Sequence, residues 1–236
     1  IGFLDVYSEL LKTTFKRFCI VVAFGIAFGY IEAAVVVYLR TIFHPDGFSF
    51  PLTNFGVSPL WRPLLFTEVG RETATIILIL TAAYLFGQTL QQRFAYFLTI
   101  FAVWDIFYYV WLKVLINWPA SMMDWDILFL IPLTWVSPVF APVLISVTLL
   151  LFAVIILYRC CRDRPVKVTV IEWLVFAVAG LLVVACFCIA GLHIARPDFQ
   201  SHFYWPLFAV GYISAIVAFL RCLLRPDGRN EPRVGH

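Results

Sequence analysis

The sequence predicts an all-α membrane protein: one polytopic bundle of six transmembrane helices, with a long aromatic outer loop and a short interfacial or re-entrant helix. Three observations lead there. Hydrophobic residues make up 63% of the 236 positions and charged residues only 13%, against about 45–50% and about 25% in soluble domains. Six apolar runs reach the roughly 20 residues that a helix needs to cross a bilayer. Lys and Arg are strongly biased to one side of those runs, as in proteins with a fixed orientation.

The spans are placed at about 18–39, 70–90, 94–116, 138–158, 169–192 and 204–224. The first is too long for a signal-peptide core and lacks a small-residue cleavage site after it, so it is kept as a span. Together they make residues 1–236 a single integral membrane domain. Of the 17 basic residues, 12 fall on the side of the N-terminus, from Lys12, Lys16 and Arg17 through the RCCRDRPVK hairpin to Arg233. Five fall on the other side: Arg40, Arg62, Arg71, Lys113 and Arg196. An even number of spans returns the chain to its starting side, so both termini are expected in the cytoplasm. The first testable consequence is topological. In intact cells, a thiol introduced at Ser49 should react with a membrane-impermeant reagent and one introduced at Asp227 should not; the opposite pattern overturns the orientation.

Composition also excludes classes of function. A net charge of +3 with no basic stripe gives no nucleic-acid partner. The six cysteines (Cys19, Cys160, Cys161, Cys186, Cys188, Cys222) form no CxxC or zinc-type spacing, and read as reduced, mostly buried thiols. There is no HExxH, GxSxG, Walker loop or nucleotide fingerprint. None of the four histidines lies mid-span, which makes bis-histidine haem ligation across the bilayer improbable. Otherwise the cofactor is left open. His44, His193 and His202, with Asp46, are all assigned to the outer side and are the candidates for a surface metal site.

The connections differ on the two sides. Those near Arg93 and at RCCRDRPVK are too short to hold a soluble site. The outer connection 40–69 carries Pro45, Pro51, Pro59 and Pro63, which break regular structure, among many aromatics. It is expected to lie on the membrane face or fold over the helices. In the second outer connection, DWDILFLI is expected to form the short interfacial or re-entrant helix, capped by Asp124 and stopped by Pro132.

The charges inside the runs carry the functional question. Asp105 lies about 16 Å into its span, Glu32 about 21 Å into the first, and Lys113 about 28 Å deep near the outer interface. Glu68, Arg71, Glu72 and Thr75 share one helical face by their i, i+3, i+4, i+7 spacing. Asp105, Tyr109 and Lys113 fall on one stripe of the third span. An ionised side chain at mid-membrane costs at least about 2.5–3.5 kcal/mol, so these groups should face one another or a cavity. The expectation is an acidic pocket in the outer half of the bundle, built from Glu32, Glu68, Arg71, Glu72, Asp105, Tyr109 and Lys113. The ExxH pairs of di-iron bundles are absent, which argues against a carboxylate-bridged metal centre. Gly25 and Gly29 form a GxxxG that permits close helix approach without naming a partner.

Three functional readings stay open at this point. The first is an accessory or anchor subunit of a larger membrane assembly, partnered by other membrane subunits as well as by the lipid bilayer. Its support is the 18% aromatic content and the lack of a soluble domain. The second is a small proton- or cation-coupled transporter using Glu32, Glu72 and Asp105. The third is an intramembrane enzyme with its site under the first outer loop.

Overall fold

The computed structural model describes residues 3–44, 47–52 and 61–225. Six helices are long and apolar enough to cross a membrane: α1 (Phe3–Phe43), α2 (Trp61–Phe86), α3 (Leu90–Ile116), α4 (Phe140–Cys161), α5 (Val170–Leu192) and α6 (Trp205–Leu224). The short elements are strands β1 (Trp125–Phe129) and β2 (Trp135–Pro138) and a 3₁₀ turn, Phe199–His202. All six cysteines are free.

The helices start and stop for local reasons. α2 begins earlier than the hydropathy run, at Trp61, because Pro63 falls in its first turn, where a missing N–H costs nothing. Thr89 caps α3: its hydroxyl accepts from the Gln92 N–H at 3.2 Å, while the Gln92 side chain accepts from Gln88 N–H at 3.0 Å. Arg93 closes the α2–α3 turn by stacking on Tyr84 and donating to the Gly87 carbonyl. α3 ends at Asn117, whose left-handed backbone (φ 53°) terminates the helix.

α3 is the central element, packed against α1, α2 and α4, while α5 and α6 form a second pair. Ala95, Ile100, Ala102 and Leu112 of α3 are fully buried. In lipid, burying an apolar side chain against another helix gains little over leaving it in lipid, so close packing and polar contacts must hold the bundle. The two ends are tied differently. At one end, Gln91 bonds the backbone of Val166, Arg159 bonds the Leu223 carbonyl, and Arg225 pairs with Glu172 at 2.8 Å. At the other end lie the β-hairpin, the 3₁₀ turn and the segment 47–52, joined by Phe50 stacked on Phe199 and by the Leu52 N–H bonded to Ile194.

The hairpin corrects one expectation. DWDILFLI forms no helix. Residues Trp125–Phe129 pair antiparallel with Trp135–Pro138, with Asp126 opposite Ser137 and Ile127 opposite Val136. Asp124 caps backwards instead of forwards: its carboxylate accepts from the N–H groups of Ala120 and Ser121. The physical reason is that a run this short gains little from helical bonds. As a strand, its alternating side chains send buried Asp126 to Arg40 and set Trp125 edge-on to Phe199 and Phe203. Of the outer-loop residues named above, Pro45, Asp46 and Pro59 lie outside the described residues.

Candidate functional site

One guanidinium joins an acid of α1 to an acid of α2. Arg71 donates from Nε to Glu68 at 2.7 Å, one turn back on α2, and from Nη1 to Glu32 on α1. This fork neutralises two carboxylates and ties α1 to α2, a pairing that planar Arg makes better than Lys. Glu72, one residue on, faces elsewhere. Both its oxygens accept the Leu130 N–H of the hairpin at 3.0 Å. Asp105 accepts from the Ser146 hydroxyl of α4 at 2.8 Å. Among the described residues, no basic side chain forms a salt bridge with Glu72 or Asp105.

Glu32, Glu68, Arg71, Glu72, Asp105 and Tyr109 all border one cavity of about 900 Å³. Its floor is a stripe of α3, its sides are α2 and α4, and α5 and α6 partly cover it. Asp105 borders the cavity and is only partly buried although it sits in the middle of the central helix. Tyr109 is 5% exposed and its hydroxyl has no hydrogen-bond partner; the indole N–H groups of Trp104 and Trp135, which also border the cavity, are likewise unpartnered. Each such buried group costs about 1–3 kcal/mol.

Lys113 does not belong to this group. It is exposed, and its ammonium donates to the carbonyls of Pro119 (2.9 Å) and Asn117. Eight residues along a helix is about 12 Å of rise, which takes the ammonium past the cavity to the carbonyls left unpaired where α3 ends. A cation there is also favoured by the helix dipole.

A second charged cluster was not anticipated. Arg40, at the end of α1, donates to Asp126 of β1 at 3.0 Å, and the Tyr108 hydroxyl donates to the other Asp126 oxygen at 3.1 Å. The guanidinium lies between the rings of Phe48 (4.1 Å) and Trp118 (3.9 Å). Arg40 is 9% exposed and Asp126 2%. Burial pushes the Asp126 carboxyl up from its ordinary range, and the Arg40 charge and Tyr108 bond oppose that rise. The partners are 86 residues apart, so no spacing in the sequence links them.

The histidines divide. His44 joins the Arg40 cluster, edge-on to Phe48, and burial together with the Arg40 charge holds its pKa below the usual value, which favours the neutral ring. His193 and His202 stack at 3.8 Å at the α5–3₁₀ corner, each with Nδ1 on a backbone carbonyl. Asp46 lies outside the described residues. Among the described residues, no three His, Cys, Asp or Glu side chains are grouped so that they could hold a metal ion.

Compared with known proteins, the chain matches no family model, no curated protein and no solved structure. Its function is therefore read from the site alone.

Proposed function

We propose that this chain is a small membrane carrier in which Glu72 and Asp105 bind and release a proton or a cation inside the bundle. The observation that carries this reading is a cavity of about 900 Å³ among six membrane-length helices, bordered by two carboxylates with no basic partner among the described residues. Arg71 pairs with Glu32 and Glu68, which leaves Glu72 and Asp105 without an ion-pair partner among the described residues. A bare carboxylate in a low-dielectric interior is too costly to persist, so the remaining two must take up a proton or a cation. Glu32, first grouped with the transporting acids, is better read as structural, because its charge is spent on Arg71. By the bias of basic residues, the hairpin end of the bundle faces outward and both termini face the cytoplasm.

The test uses purified protein in liposomes on a solid-supported membrane. A jump in pH or in Na⁺ should displace charge in the wild type. The double variant Glu72→Gln/Asp105→Asn should lose about tenfold or more of that signal, because an amide neither exchanges a proton nor attracts a cation. Its thermal unfolding should stay near that of the wild type, since neither residue loses an ion pair. A silent wild type, or an unchanged double variant, counts against the carrier. Gentle extraction that yields a stoichiometric partner seated over the cavity would favour the subunit reading instead.

A further inference from the structure

From the shape of the cavity and its charge, we infer that it takes a single-chain amphiphile with a cationic amine head, entering sideways from the bilayer between α2 and α5. This rests on the reading of Glu72 and Asp105 as cation-binding carboxylates and names the ligand class of that site.

Three features carry the inference. First, the cavity is long. Its α3 stripe runs from Leu90 to Tyr109, and the distance from Asp105 back to Leu90 is 15 residues. That is about 22 Å of helix, more than the roughly 15 Å that half of a hydrocarbon core provides for one lipid chain. Second, its walls away from the acids are apolar, with Leu98, Phe101, Leu149, Phe152, Phe176 and Phe219 bordering it. An apolar cavity of this kind does not hold water well. A hydrocarbon chain fills it at little cost, having left an equally apolar phase. Third, it is open at the side. Phe94 and Trp173 meet edge-on at 6.0 Å on the rim of the cavity, yet they are 43% and 52% exposed, and both lie within membrane-length helices. α2 packs chiefly on α3, and α5 on α6 and the hairpin, so the two helices flank this gap without closing it.

Head-group chemistry follows from the charge surplus. An anionic phosphate or carboxylate head would meet Glu72 and Asp105 with no unpaired guanidinium among the described residues that border the cavity to offset them. A protonated amine supplies the missing positive charge and donates hydrogen bonds to carboxylates, which accept only. Tyr109, whose hydroxyl has no hydrogen-bond partner among the described residues, lies on the same wall.

The experiment places the protein in phosphatidylcholine vesicles at neutral pH with octadecylamine bearing a photoactivatable diazirine at the chain end. Adducts should map to peptides containing Phe94, Trp173 or Phe176. Unlabelled octadecylamine should compete about tenfold better than octadecanoic acid. Asp105→Asn should reduce these adducts about tenfold. Gly180→Phe serves as a second variant: a Cβ at Gly180 meets nothing within 4 Å and the residue borders the cavity, so the ring fills the groove without disturbing the fold. It should abolish the same adducts. The inference is overturned by adducts confined to outward residues such as Phe66 and Leu85, by equal competition from the acid, or by unchanged labelling in both variants. If charge displacement by protons or Na⁺ persists while the amine fails to label, the ligand class is wrong and the carrier stands. If both fail, the carrier falls as well.

Discussion

Arg40→Met is expected to destabilise the folded protein by about 3–5 kcal/mol, the usual cost of removing one partner from a buried ion pair. Asp126 is almost fully buried and would keep hydrogen bonds from the Tyr108 hydroxyl and the Ile127 N–H but no positive charge. The substitution also removes the cation from between Phe48 and Trp118. Replacing both charges, as Arg40→Met/Asp126→Leu, should recover much of the loss, because the penalty comes from the uncompensated charge more than from the missing bond. The pH dependence has a definite sign. With Arg40 gone, the only strong opposition to burial is lost, and the folded-state pKa of Asp126 rises further above its unfolded value. A carboxyl of that kind binds its proton more tightly when folded, so the variant regains stability as pH falls through the folded pKa and loses it as pH rises. Unfolding in mixed micelles over a pH series checks both statements. A cost under about 1 kcal/mol, typical of a solvated pair, would mean that Arg40 and Asp126 are not clamped as described.

How much of this was legible in the sequence depended on the range of the interaction concerned. The six membrane-length helices were legible because lipid demands about 20 consecutive apolar residues from each, and the structure has six helices of that kind. The Arg71–Glu68 bond was legible because i, i+3 spacing is a local property of a helix. The grouping of Glu32, Glu72 and Asp105 followed only from the cost of exposing each to lipid. Lys113 misled because the stripe it shares with Asp105 and Tyr109 ignores where the helix stops, and a lysine near a helix end reaches for the nearest unpaired carbonyls. The hairpin was missed because a short apolar run has no decisive period. Its strand form depends on Arg40, far away in the chain, and on the facing strand Trp135–Pro138. The acidic end of the cavity was expected from its charges; its long apolar part was not, since that is the space left between helices that do not close on one another.

Gly29→Leu is expected to push α1 off α3 and to cost more than the roughly 1–3 kcal/mol of ordinary overpacking. The GxxxG left its partner unnamed in the sequence; the partner is α3. A Cβ at Gly29 would lie 3.0 Å from the Trp104 carbonyl oxygen and 3.1 Å from the Tyr108 nitrogen, both rigid backbone. At Gly25 it would meet Val103 side-chain atoms at 2.9 Å. One of the two Val103 atoms is Cβ, which no rotamer change moves, so both glycines are wedged against fixed atoms of α3 and Ala at either should be destabilising. Gly70, where an added Cβ meets nothing within 4 Å, is the control. Gly70→Ala should be neutral or stabilising by up to about 1 kcal/mol, from helix propensity alone. The effect at Gly29 should also spread, because α1 carries both Glu32 and Arg40. Moving it strains the Arg71 fork at one level and the Asp126 clamp at another. Gly29→Leu and Arg40→Met should therefore combine to less than the sum of their separate costs, since the first already loosens what the second removes. Full additivity in a double-mutant cycle would show that α1 does not transmit the displacement, and that the acid cavity and the hairpin clamp are held independently.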